Sequence, residues 1–247
     1  RVLFWQDLGS GLYFIFRQYS ASYLADFYYG NNSAGRDFAD GGATVNQTHL
    51  WALGSTTGDA NTTPKGYKSY VYRDGIMEVQ SNTSSSGTST TDFQIGHHNN
   101  ALYYDGLIAE IIILDETPTA SQDNKIRSYL NNKYGLTNGA TSQDRINSNG
   151  TTIWPYNASY NTNIAGIRRD DLSGVDEKQA KSILSGAVMT MSTQAISATN
   201  AANTTSLSVD KSALIWGSNG SSVAVQADNS GTAHDGKVFN ETIPRKW

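Results

Sequence analysis

Residues Tyr103–Tyr134 read YYDGLIAEIIILDETPTASQDNKIRSYLNNKY, and the predicted fold is built outward from this stretch. It opens on an Asp-Gly step and continues as a nearly unbroken apolar run, Leu107–Leu114, in which Glu110 is the only charged residue. A run of this length that is rich in isoleucine and bounded by turn residues is typical of a strand covered on both faces. We therefore predict a central, buried strand over these residues.

A short helix is predicted directly after this strand. A proline ends the extended run, and Thr119 with Gln122 three residues later has the form of a capping box. Gly135 suits the left-handed conformation in which many helices end. Four apolar side chains recur at helical spacing between these ends: Ile126, Tyr129, Leu130 and Tyr134. We expect this apolar face to dock on a sheet, with Asn131 and Asn132 on the opposite face.

The residues before this stretch predict further strands and one clear hairpin. Two or three strands are expected within residues 2–29, over Val2–Asp7, Gly11–Tyr19 and Tyr23–Tyr29. The hairpin is predicted over Tyr67–Gln80, because Asp74-Gly75 lies between two apolar runs and suits a type I′ turn.

The segments DGLIAEIIIL and KIRSYLNNKYGLT resemble the last core strand and closing helix of bacterial laminin-G-like domains. The YRDG hairpin is similar to the YVNG hairpin of the same family. This resemblance covers residues 1–137. It implies an all-β fold, a concanavalin-like jelly-roll sandwich with one short closing helix, used mostly for binding.

A second domain is predicted over residues 138–247, after a boundary of small polar residues. The segments IAGIRRDD and EKQAKS within it resemble the IAGIGRDD and QKQSKS signature of a β-rich module in bacterial surface proteins. Arg168 replaces a glycine of that signature and Ala180 replaces a serine. The resemblance implies a second β-rich domain that is expected to continue past Trp247, in a chain that is a piece of a longer polypeptide.

The composition excludes some classes of function. The net charge is −4, and no basic stripe or patch is present, so the chain lacks the electrostatic pattern of a nucleic-acid-binding protein. No cysteine is available for disulfides or thiolate metal sites, and no segment is apolar enough to span a membrane. The absence of cysteine fits an exported bacterial protein at least as well as a cytosolic one, and the resemblance to bacterial surface proteins implies an extracellular or cell-surface location.

The sequence predicts that the chain is not an enzyme. A glycoside hydrolase on this scaffold places two carboxylates on one strand face, so they must be an even number of residues apart. Glu110 has Ile112 and Leu114 at those positions, and Asp115 has the wrong parity. The chain also lacks a G-x-S-x-G elbow, and no histidine has a recognisable triad partner.

Calcium is the one cofactor that the loops suggest. Asp105, Asp37, Asp40 and Asn99 supply the oxygen atoms that this ion prefers, and laminin-G-like domains often bind one calcium at the rim of the sandwich. The same residue types favour tight turns without any ion, so both interpretations stay open.

Aromatic and histidine side chains are the candidates for a ligand-binding site. β-Sandwich modules often hold sugars by ring stacking, and Tyr103, Tyr104 and Trp51 are candidates for this role, although they could equally form the core. His97 and His98 could bind a ligand or metal near Asp105, whereas adjacent histidines at a turn are more often solvated.

These observations predict a non-catalytic module of a large bacterial surface or secreted protein. Its partner would be a glycan, another surface ligand, or a neighbouring domain of the parent protein. Two alternatives stay open: a structural stalk or filament segment without its own ligand, and an accessory domain of a carbohydrate-active enzyme.

Overall fold

A computed structural model of the chain describes residues 2–9, 12–19, 24–30, 36–39, 48–55, 69–81, 92–98, 103–137, 143–184, 186–221, 226–227, 233–234, 237–238 and 241–242. Strands account for 33% of the chain, and one α-helix lies in the described part. This content confirms the all-β class. The chain divides into two compact units, Arg1–Ala120 and Ser121–Trp247.

The N-terminal unit contains two antiparallel sheets in its described part. The strands are β1 (Val2–Gly9), β2 (Leu12–Tyr19), β3 (Leu24–Gly30), β4 (Arg36–Ala39), β5 (Trp51–Ser55), β6 (Ser69–Arg73), β7 (Ile76–Ser81) and β8 (Gln94–Ile95). One sheet has the order β4-β3-β2-β1-β8, and the other has the order β5-β6-β7. The three strands expected within residues 2–29 are therefore confirmed.

The predicted hairpin joins β6 and β7. Asp74 and Gly75 both have positive φ, 50° and 84°, as a type I′ turn requires. Tyr70 and Val71 of β6 are buried. A Cβ added at Gly54 of β5 would clash with the Tyr70 ring, so the absence of a side chain there lets the ring lie across the neighbouring strand.

The central strand predicted over Leu107–Leu114 is wrong. No strand is assigned there, and Leu107 and Ile113 are 98% and 68% exposed. An apolar run indicates a tendency to be buried, but a strand forms only where a neighbouring backbone accepts its hydrogen bonds. The positions on either side of β1 are taken by β2 and by the two-residue β8.

The helix α1 (Ala120–Tyr134) follows, as predicted. Gly135 adopts a left-handed φ of 61°, and the Leu136 N–H donates to the Asn131 carbonyl oxygen at 2.9 Å. These are the two marks of a Schellman motif, and the buried Leu136 side chain completes it. The helix end predicted at Gly135 is confirmed, while the capping box at its start stays a prediction.

The buried face of α1 is not the predicted one. Asn131 and Asn132 are each only 1% exposed, whereas Ile126, Tyr129 and Leu130 are half-buried. The fully buried positions are all polar: Asp123, Arg127, Ser128, Asn131 and Asn132. They repeat at helical spacing, so they form one face that is held by hydrogen bonds rather than by apolar contact alone.

The C-terminal unit is built from short antiparallel strands. They are β9 (Arg145–Ile146), β10 (Thr152–Trp154), β11 (Thr162–Asp170), β12 (Val175–Glu177), β13 (Gln179–Lys181), β14 (Thr190–Ser192), β15 (Ala213–Ser218), β16 (Gln226–Ala227), β17 (Ala233–His234), β18 (Lys237–Val238) and β19 (Glu241–Thr242). A three-stranded sheet, β12-β11-β15, supplies most of the core: Ile164, Ala165, Ile167, Val175 and Trp216. Two-stranded pairs β9-β10, β13-β14, β16-β19 and β17-β18 complete the described part.

The IAGIRRDD segment forms most of β11, where Arg168 is buried in the strand. Its guanidinium makes an ion pair with Asp170, which is fully buried. Asp170 also accepts hydrogen bonds from the Ser148 backbone N–H at 2.8 Å and hydroxyl at 2.6 Å. The arginine that replaces a glycine of the signature is thus accommodated by a paired carboxylate.

The division between the units falls at residue 120, whereas the sequence predicted a boundary at residue 137. The hydrogen bonds of α1 explain the difference. Ser128 Oγ accepts the Ile146 N–H at 2.9 Å, and Asn132 Oδ1 accepts from Arg145 at 2.9 Å. At the helix end, the Ile183 N–H donates to the Gly135 carbonyl at 3.2 Å. The helix is bonded to residues of the C-terminal unit.

Candidate ligand-binding cleft

The β9-β10 hairpin places an arginine opposite a tryptophan. Arg145 and Trp154 are cross-strand partners at its open end. The connecting turn is held by Asn147, whose Oδ1 accepts the N–H groups of Asn149 and Thr151 at 3.0 and 2.9 Å, while Gly150 takes a left-handed φ of 90°. Local turn chemistry therefore sets the register that brings the two side chains together.

Asp144 extends the hairpin beyond its two ladder pairs. Its Oδ1 accepts the Tyr156 N–H at 2.8 Å, and its Oδ2 accepts the Thr152 hydroxyl at 3.1 Å. These bonds position Tyr156, which is 37% exposed and lies two residues after Trp154 in the chain. Two aromatic side chains therefore lie on the same side of the unit, one half-buried and one open to solvent.

A cleft lies where the hairpin, α1 and β11 meet, and its lining is mostly polar. Trp154, Tyr156 and Ile164 supply its apolar surface. Amide, hydroxyl and charged groups supply the rest: Asn124, Ser128, Asn131, Gln143, Asp144, Arg145 and Asn161. Every one of these residues belongs to the C-terminal unit.

Gly217 of β15 allows Trp154 to reach this position. A Cβ added at Gly217 would lie 3.2 Å from Cζ2 of Trp154 and 3.2 Å from Cγ1 of Ile164, and would clash with the Tyr160 carbonyl oxygen. A side chain at this position would therefore push the indole outward. The close approach of β15 supports one wall of the cleft.

Arg145 lines the cleft as a buried cation, 5% exposed. Its Nη1 donates to Asn132 Oδ1 at 2.9 Å, and its Nη2 donates to the Leu136 carbonyl at 2.5 Å. Both acceptors are neutral, and no ion pair joins Arg145 to a carboxylate in the described part of the chain. Burial lowers the pKa of Arg145 from its ordinary value to about 9, which reflects the cost of a charge without a counter-ion.

Asn131 supplies a buried acceptor on the helix side of the cleft. Its side chain is 1% exposed, and its Oδ1 has no hydrogen-bond partner among the described residues. Leaving such a group unsatisfied costs about 1–3 kcal/mol. Asn131 and Arg145 both line the cleft, and they retain an acceptor and N–H groups that no described residue uses.

The free space inside the cleft is small. The centre of a water-sized sphere can occupy about 20 Å³ there, whereas a single water needs roughly 10–15 Å³. The cleft therefore accommodates only small polar groups of a ligand, and the remainder of that ligand would lie against the aromatic side chains at its edge.

The ligand residues predicted from the sequence lie elsewhere, in the N-terminal unit, and they are divided among three neighbourhoods. The Trp51 ring lies 5.8 Å from the Arg73 guanidinium and 6.1 Å from the His49 ring. The His97 and Tyr103 rings are 6.0 Å apart, with the Tyr104 N–H bonded to the Gly96 carbonyl.

His98 lies 4.6 Å from the Trp5 ring, between ring centroids, and so faces a different neighbour from His97. Adjacent residues of an extended chain point to opposite sides, which accounts for the separation. Among the described members of the predicted set, the His97 and Tyr103 rings lie close to each other.

The predicted calcium ligands are only partly described. Asp105 is exposed. Asp37 lies within β4 opposite Asp26 of β3, so its predicted loop position is wrong, because the chain forms an edge strand there. Asp40 and Asn99 lie outside the described residues. Within the described ranges no group of three or more His, Cys, Asp or Glu residues is placed to hold a metal.

Sequence reasoning missed the cleft because its signals were weak. The pair Trp154 and Tyr156 in a segment poor in aromatic residues was the available signal. Nothing in the local pattern indicates that Arg145 and Asn131 are buried, since both residue types are usually exposed. The strand parity argument against hydrolysis also loses its basis at Glu110, which lies in no assigned strand, so the absence of activity stays a prediction.

No described helix combines the length and the hydropathy that crossing a membrane requires. No curated protein and no solved structure matches the chain. Residues 122–247 match the protein family described as "Domain of unknown function (DUF8202)". The match includes every residue that lines the cleft, and it spans just over half of the 247 residues. The chain therefore belongs to the DUF8202 family.

Proposed function

We propose that the chain is a non-catalytic recognition module of a bacterial surface or secreted protein, and that it binds a glycan at the cleft of its C-terminal unit. The observation that carries the proposal is the lining itself. Trp154 and Tyr156 offer ring faces, while amide side chains and Arg145 offer convergent donors and acceptors. Sugars present hydroxyl groups and apolar ring faces together, and sites that bind them combine these two kinds of surface.

The N-terminal unit has a supporting role in this proposal. Its antiparallel sheets and the laminin-G-like resemblance support a jelly-roll sandwich that presents the C-terminal unit at the bacterial surface. A calcium ion at Asp105 would belong to that unit.

The test uses two exposed tyrosines as a matched pair. Tyr156 lines the cleft, and Tyr103 belongs to the ligand site predicted from the sequence. The whole chain is applied to a microarray of neutral and acidic oligosaccharides. We expect Tyr156→Ala to weaken binding about tenfold, equivalent to about 1.4 kcal/mol, and Tyr103→Ala to leave it unchanged.

The opposite result, a loss with Tyr103→Ala alone, would transfer the site to the N-terminal unit. A folded chain that retains no glycan on the array would contradict glycan recognition and favour a stalk or filament segment. Thermal unfolding of both variants shows whether a loss of binding reflects a loss of structure.

A further inference from the structure

We infer that the ligand of this cleft carries a carboxylate, as an acidic sugar does, and that Arg145 is its counter-ion. The inference rests on the proposed function and specifies the class of glycan. Trp154 and Tyr156 would then contact the sugar ring, and Asn131 would accept a hydrogen bond from one of its hydroxyl groups.

The charge of the Arg145 guanidinium is unbalanced within the described residues. A buried arginine is normally paired with a carboxylate, as Arg168 is with Asp170 and Arg127 with Asp123 in the same unit. Arg145 uses two of its five N–H groups, both on neutral oxygens. Arg145 thus differs from these two arginines in the same unit, and it lines the cleft.

The nearest carboxylate in the sequence is already occupied. Asp144 also lines the cleft, but its Oδ1 accepts from the Tyr156 backbone and its Oδ2 accepts from the Thr152 hydroxyl. No ion pair of the described residues includes Arg145, and burial lowers its pKa. No carboxylate of the described residues therefore neutralises this guanidinium.

A carboxylate matches the cleft in size and geometry. The space of about 20 Å³ suits one small planar group. A guanidinium presents parallel N–H groups that a carboxylate accepts in pairs, and such charge-assisted hydrogen bonds are about twice as strong as neutral ones. The unpartnered Oδ1 of Asn131 then requires a donor, which a sugar hydroxyl supplies and a carboxylate does not.

The experiment compares trigalacturonate with its trimethyl ester, which keeps the sugar rings and removes the charges. In isothermal titration calorimetry on the whole chain, we expect the Kd of trigalacturonate to be at least about tenfold lower than the Kd of its trimethyl ester. Asn131→Asp places a carboxylate in the cleft without breaking any side-chain hydrogen bond of the described residues. We expect it to abolish the preference for the acid.

Asn131→Ala is the matched control. It removes the same acceptor without adding a charge, so it should weaken both ligands in parallel and keep the preference for the acid. Thermal unfolding confirms that each variant is folded before it is titrated.

The outcomes separate this inference from the function on which it rests. Equal affinity for acid and ester, or a preference that survives Asn131→Asp, would overturn the carboxylate inference and leave glycan recognition in place. If the chain binds neutral array glycans but neither form of trigalacturonate, the carboxylate inference is likewise overturned and glycan recognition is retained. A chain that binds neither these probes nor any array glycan would overturn both.

Discussion

Buried charges in the C-terminal unit are compensated in different ways from residue to residue. Burial by itself would raise the pKa of Asp170, but the hydrogen bonds from Ser148 and Arg168 hold the pKa of this carboxyl below its usual value. Asp170 is therefore ionised and stabilises the fold at neutral pH, and its contribution disappears as the pH falls through its lowered pKa. Arg145 has no such carboxylate partner among the described residues, which marks it as a candidate for ligand binding rather than for stability.

Glu177 at the end of β12 gives a prediction with the opposite sign. Burial raises the pKa of this carboxyl from 4.5 to about 7, although Lys133 of α1 lowers it in part. The folded state then holds a proton that the unfolded state releases between these two pH values. The free energy of unfolding should therefore decrease as the pH rises from about 4.5 to about 7.

The measurement is urea unfolding of the chain and of Glu177→Gln at pH 5 and pH 8. Because Glu177 is half-buried, solvent screening reduces the effect to roughly 1 kcal/mol. The variant, which cannot ionise, should lose less stability between the two pH values. Identical pH profiles for the two proteins would show that Glu177 has its ordinary pKa.

Helix α1 shows, at the scale of the element, that burial need not follow hydrophobicity. Its polar side chains at positions 123, 127, 128, 131 and 132 form the buried face. Four of these five side chains have partners: Asp123 and Arg127 pair with each other, and Ser128 and Asn132 bond to β9. Because β9 offers the Ile146 N–H and the Arg145 guanidinium as donors, the face of α1 that packs against it carries the acceptors Ser128 and Asn132.

Substitutions on the two faces of α1 test this arrangement. Asn132→Ala removes an acceptor from the buried Arg145, so we expect it to lower the free energy of unfolding by about 1–3 kcal/mol. Ser121→Ala on the exposed side should change it by about 0.5 kcal/mol or less. Chemical denaturation measures both.

Leu130→Ala provides the contrast with the face predicted from the sequence. Truncating this half-buried leucine should lower the free energy of unfolding by less than the roughly 2–5 kcal/mol that is typical of a fully buried leucine. If Leu130→Ala lowers the free energy of unfolding by roughly 2–5 kcal/mol and Asn132→Ala has no effect, the apolar face predicted from the sequence is the buried one. That result would contradict the polar buried face described above.

At the scale of the whole molecule, the division at residue 120 predicts how the chain tolerates truncation. A fragment of residues 121–247 keeps Ser128 and Asn132, the partners of Ile146 and Arg145. We expect it to unfold cooperatively on heating, as a compact unit does. A fragment of residues 138–247 lacks these partners and leaves Arg145 without either of its acceptors, so it should show no cooperative transition.

Circular dichroism during thermal unfolding distinguishes the two fragments. Cooperative unfolding of the shorter fragment, with the longer one no more stable, would place α1 with the preceding residues and support the boundary at residue 137. The family match, which begins at residue 122 within the helix, agrees with the division at residue 120.

The sequence by itself determined the features that depend on local chemistry. Asp74-Gly75 specifies its turn because both residues tolerate positive φ, and Gly135 ends α1 for the same reason. The strands at the N-terminus follow from alternating apolar and aromatic residues, and the all-β class follows with them.

The tertiary structure alone decided which surfaces are buried. The Leu107–Leu114 run has the composition of a core strand, but a strand requires a neighbouring backbone, and residues far away in the sequence determine whether one is present. The cleft depends in the same way on Asn131, Arg145 and Trp154, which come from three elements. Hydrogen-bond partners distant in sequence determine the burial of polar groups, so no periodicity in the chain could have identified this site.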